Sequence, residues 1–123
     1  MRSLVSIVVV LVLCVWASPS LAQNCRKVRA NLQGVAGADI VVGTAAVTVL
    51  AQNTSRCEAI ISNISANDMR CADVTNNPPP TATTGVMVQA GKTLTLTLEG
   101  QAQWSCIRAG TADALASVAE SLP

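Results

Sequence analysis

Histidine, tyrosine and phenylalanine are absent from the 123 residues, and two tryptophans make up the whole aromatic content. Without imidazole there is no His base, no Ser-His or Cys-His pair and no His metal ligand. Charge is scarce as well, 12% of residues, with Lys+Arg 8 against Asp+Glu 7. A net charge of +1 leaves no electrostatic footprint for nucleic acid or an acidic surface. Phosphate-cradling loops are missing too, since Gly34, Gly37 and Gly43 are not followed by a helix carrying Lys-Ser/Thr. What is abundant is aliphatic bulk, with 50% of residues hydrophobic, in a chain with room for one domain.

Much of that bulk sits at the start. Met1-Arg2 is followed by an apolar run, Leu4 to Trp16, broken only by Ser6, and then by Ala17-Ser18-Pro19-Ser20-Leu21-Ala22. This is the charged, apolar and small-residue order of a secretory signal, with the cut expected after Ala22. An uncleaved anchor is the rival reading. A helix of that run would rise only about 20 Å, against a hydrocarbon core of roughly 30 Å. Lipidation at Cys14 would want a small residue before the cysteine, where Leu13 stands. The expected layout is a signal peptide over 1–22, an arm and first strand over 23–43, and a β-sandwich domain over 44–123.

Signal removal takes Arg2 and Cys14, leaving seven cations, seven anions and four cysteines: Cys25, Cys57, Cys71 and Cys106. An even count in an exported chain reads as two disulfides, and three connectivities satisfy it. The expected pairing is Cys57–Cys71 with Cys25–Cys106. The first closes a loop of about 15 residues, worth about 3 kcal/mol by chain entropy, and the second about 4–5 kcal/mol. A four-thiolate zinc site is the competing reading, but there is no C-x-x-C pair.

Beyond an arm carrying Arg26, Lys27 and Arg29, the chain reads as short strands. Ile40-Val41-Val42 is apolar, and Ala45 to Ala51 alternates with period two. Arg56 to Ser62 and Met69 to Val74 read as a hairpin about a turn near Ile64, which would oppose Cys57 and Cys71. Thr75 to Thr84, with Asn76, Asn77, Pro78, Pro79 and Pro80, cannot be a ladder strand, because proline has no N–H to donate. Gly85 to Gln89 is a brief strand. Thr93-Leu94-Thr95-Leu96-Thr97-Leu98-Glu99 follows, with leucines on one face and polar groups on the other. Ala102 to Arg108 is a strand carrying Trp104. Leu115 to Ala119 closes the chain as strand, although its alanines also suit a helix. About seven short strands without a long helix predict an all-β fold, a small antiparallel β-sandwich or barrel held by disulfides.

The order of these segments is specific in places. Val47 to Arg56 runs from a V-x-V-L-A strand into an Asn turn, and Ile60 to Asn63 is an apolar strand ending in Asn. Thr83 to Val88, Ala90 to Leu96, Trp104, Gly110-Thr111-Ala112 and Val118 to Glu120 complete the series. It resembles small β-sandwich proteins associated with the virions of tailed bacteriophages. The likeness covers about residues 44–120 and rests on turn and strand chemistry. It implies a non-enzymatic structural or attachment role. The signal peptide and the four cysteines depart from that pattern and point to export.

Reactive constellations are sparse. The seven acids, Asp39, Glu58, Asp68, Asp73, Glu99, Asp113 and Glu120, are scattered. Asp68 and Asp73 would serve as a glycosidase-like pair only if about 5–10 Å apart in a cleft. Calcium would draw on Asn67, Asp68 and Asp73. Thr75 or Ser105 as a nucleophile would need Lys27 or Lys92 beside it. Trp104 is expected in the core and not as a sugar platform. Asn53-Thr54-Ser55 and Asn63-Ile64-Ser65 have the form of N-glycosylation acceptors.

The expected function is that of an exported, non-enzymatic module, secreted or periplasmic, that binds or scaffolds at the cell envelope. Loop 75–84, with Asn76 to Pro80, is its candidate contact surface. The partner is a protein or envelope component. No cofactor, no nucleic acid and no membrane span after cleavage are expected, and self-association stays open. Two alternatives stand beside it: a phage-derived accessory bound to particles, and a small secreted hydrolase or protease inhibitor suggested only by size and disulfides.

Overall fold

The computed structural model describes residues 33–34, 39–97 and 101–122. Among them run nine strands: β1 (Gln33–Gly34), β2 (Ile40–Val42), β3 (Val47–Leu50), β4 (Glu58–Asn63), β5 (Met69–Asp73), β6 (Val86–Val88), β7 (Thr93–Leu96), β8 (Trp104–Arg108) and β9 (Ala114–Ser121). The signal segment, Cys25 and the basic arm with Arg26, Lys27 and Arg29 lie outside the described residues.

All pairings are antiparallel, in two sheets. One runs β9-β4-β7, with β1 and β2 both on the free edge of β9; the other runs β3-β8-β5-β6. Four of the pairs are nested along the chain: β5 with β6, β4 with β7, β3 with β8 and β2 with β9. The chain is therefore one long hairpin with its tip at β5–β6. Two lateral seams, β4 with β9 and β5 with β8, roll it into two layers. The eight strands β2 to β9 in this order make a jelly roll, a form of the expected β-sandwich.

Side-chain alternation holds the layers together. On β4, Ala59, Ile61 and Asn63 face inward and are buried, while Glu58, Ile60 and Ser62 are only partly covered. They meet Val42, Val49, Leu50, Met69, Val88, Leu96, Ala114 and Ala116 in a single core. Trp104 belongs to it at 6% exposure and supplies its only aromatic bulk among the described residues, so it is no sugar platform. The Thr93–Leu96 alternation gives an edge strand with Leu96 buried and Thr93 and Thr95 exposed. The ambiguous C-terminal segment is the longest described strand, eight residues.

The expected hairpin of Arg56–Ser62 with Met69–Val74 does not form. β4 and β5 lie in different sheets, and residues 64–68 cross between the layers. The disulfide pairing changes with it. Cys71 faces Cys106 across β5 and β8, and those two are bonded. Cys57 is itself disulfide-bonded, so neither Cys57–Cys71 nor Cys25–Cys106 exists, and these cysteines are not a thiolate set for zinc.

Gly85 closes loop 74–85 against β5 with φ +103°, and a Cβ there would lie 2.9 Å from the Cys71 carbonyl oxygen. Gly91 has φ +69° but open space around it. Gly91→Ala is expected to cost about 1 kcal/mol for the left-handed backbone alone, and Gly85→Ala at least about 2–3 kcal/mol, since backbone must also move. Urea melts of the two variants check this; equal losses would mean that the Cys71 contact is relaxed at no cost.

Candidate functional site

A rolled hairpin sends alternate connections to opposite ends of the sandwich. The connections β2–β3, β4–β5, β6–β7 and β8–β9 gather at one end, and β3–β4, β5–β6 and β7–β8 at the other. The two ends use their polar groups differently.

At the first end Asn63, Ser65, Asn67, Asp68 and Asp113 are committed to the protein. Asn63 is buried, its amide donating to the carbonyls of Asn67 (2.8 Å) and Val88 (2.9 Å). Its own oxygen accepts from the Ser65 N–H and hydroxyl. Asn67 donates to the Asp113 carbonyl, and Asp113 pairs with Arg108 at 2.9 Å. Asp68 accepts from the Ala90 N–H. Asn63 is thus a structural cap, with its amide fully spent, and not a glycan acceptor in the folded chain.

At the second end the backbone ties the loops. The Asn53 N–H donates to the Gln101 carbonyl (3.1 Å), and the Val74 N–H to the Gln103 carbonyl (2.8 Å). The Gln103 N–H donates to the Thr75 hydroxyl (2.9 Å). Asp73 turns the chain out of β5 by accepting from the Thr75 N–H at 2.8 Å, an Asx turn. Between these loops opens a groove of about 340 Å³ lined by Gln52, Thr54, Asp73, Thr75, Asn76, Gln101 and Ala102. Among the described residues, the side chains of Gln52, Thr54, Asn76 and Gln101 have no hydrogen-bond partner. Four unspent polar groups converge here.

The expected contact loop meets this groove only in part. Asn76 lines it, while Asn77, Pro78 and Pro79 stand exposed outside and Pro80 is buried. Pro80 packs under Gly85, and Arg70 holds the loop by donating to the Ala82 and Gly85 carbonyls. Gln52, Thr54 and Gln101 escaped the sequence reading. One signal could have found them, since the amide-rich turns 52–55, 75–77 and 101–103 occupy every second connection, and alternate connections share an end.

The other candidate constellations are not assembled. Asp68 and Asp73 sit at opposite ends of β5, about 17 Å apart at the rise of an antiparallel strand, too far for a carboxylate pair. The same separation scatters Asn67, Asp68 and Asp73 as calcium ligands. Ser105 is buried, with its hydroxyl against that of Thr48 (3.4 Å). Lys27 lies outside the described residues. Comparison of the chain with known protein families, with curated proteins and with solved structures finds no match.

Proposed function

We propose that the protein is an exported, non-enzymatic recognition module that scaffolds or binds at the cell envelope through the β3–β4, β5–β6 and β7–β8 end. One observation carries the reading: the unspent side chains of Gln52, Thr54, Asn76 and Gln101 converge there, whereas at the opposite end Asn63, Asn67, Asp68 and Asp113 are taken up internally. A rigid two-sheet body presenting polar loops is how scaffolds hold contact residues. Cross-links between strands suit the oxidising compartment that the leader implies.

A photo-crosslinking residue placed at Asn76 or Gln101 tests this in intact cells, with Thr111 on the far connection as control. Adducts confined to the groove positions, on a chain beginning at Gln23, are the expected result. Equal adducts from all three positions, or a chain retaining Met1, would overturn it. A second reading, a phage-derived accessory on particles, draws on the strand order, which viral shell proteins also use. That is an analogy of fold, and function lives in sites. Co-sedimentation of the chain with purified particles would favour this second reading.

A further inference from the structure

We infer that the groove takes a neutral, hydroxyl-rich oligosaccharide; this rests on the reading of that end as the contact surface. Each side-chain amide offers two N–H donors and an oxygen acceptor, and each hydroxyl one donor and two acceptors. Gln52, Asn76 and Gln101 with Thr54 therefore present a mixed set of donors and acceptors, which a run of ring hydroxyls can satisfy in either sense. Asp73 adds acceptor capacity only, because its other carboxylate oxygen remains beyond the one that takes the Thr75 N–H. It contributes negative charge, and no Lys or Arg lines the groove to offset it. Acidic saccharides are disfavoured on that ground.

A peptide is the weaker match. Peptide recognition relies on an open strand edge or on pockets for apolar side chains. The groove is built from turns, and Ala102 is the one apolar residue among its described lining. Its volume of about 340 Å³ is at the small end of ligand pockets, the size of a short saccharide segment.

Amide and backbone NMR shifts of the exported chain, titrated with three probes, test the inference. The probes are a neutral glucose tetramer, a uronic acid tetramer and tetra-alanine. The neutral tetramer is expected to shift Gln52, Asn76 and Gln101, with affinity falling at least tenfold in the N76A/Q101A variant. Neither side chain has a hydrogen-bond partner among the described residues, so the variant should keep the parent near-UV spectrum. The uronate is expected to bind at least tenfold more weakly, and Asp73→Asn to narrow that gap while still accepting the Thr75 N–H. Tighter uronate binding, or shifts with the peptide alone, would overturn the saccharide while leaving the contact surface standing. No shift at these residues with any probe would overturn the saccharide too, and the crosslinking result then decides separately on the surface.

Discussion

Replacing Arg56 with Met is expected to cost about 3 kcal/mol of stability, the range for breaking a largely buried ion pair from one side. The guanidinium is 4% exposed; its Nε donates to Glu120 Oε2, and its Nη1 to the Ala51 carbonyl at 3.0 Å. It stands just before β4, joining the β3–β4 connection to the end of β9, two parts of the chain 64 residues apart. Methionine would fill most of the volume but leave the Glu120 carboxylate, 20% exposed, without its cation. Glu120→Gln should cost less, because a side-chain oxygen remains to accept from Nε. Urea melts give both losses if the slope is unchanged, and the double variant R56M/E120Q should recover part of the sum. Salt should do little to the parent, since buried pairs are weakly screened. A loss under about 1 kcal/mol would place the pair among ordinary surface bridges.

Neither the partner of Arg56 nor the roll of the hairpin was legible beforehand, for one physical reason. Period-two alternation reports which face of a strand is buried, so β7 could be read from Thr93 to Leu98, while Leu115 to Ala119 reads as strand only from its place after a turn. It does not report which strand lies alongside. Residues 64–68 are short enough for a hairpin turn and long enough to cross a layer, and the choice was made by the β4–β9 seam. Cys71 then found Cys106 because β8 lies against β5 in register. The groove shares that difficulty. Asn76 announced itself through its turn, whereas Gln101 acquires a role only when the β7–β8 connection lies beside the other two.

The Cys71–Cys106 bridge is expected to give the other large effect. It closes a loop of 35 residues, worth about 4 kcal/mol by chain entropy. The variant C71A/C106A should melt about 20 °C lower, given the entropy of unfolding of a domain near 100 residues. Reductant alone should leave this bridge intact under native conditions. Both cysteines are 0% exposed, and exchange needs a thiolate to reach a sulfur. Its reduction should therefore begin only where urea opens the sandwich, so a melt run in reductant falls while native thiol labelling leaves the Cys71 and Cys106 peptides unmodified. Non-reducing peptide mapping checks the connectivity itself. The Cys71 peptide should travel with that of Cys106. The peptide that travels with that of Cys57, which is itself disulfide-bonded, should contain neither Cys71 nor Cys106. A peptide joining Cys57 to Cys71 would contradict the β5–β8 register, and with it the convergence of loops that forms the groove.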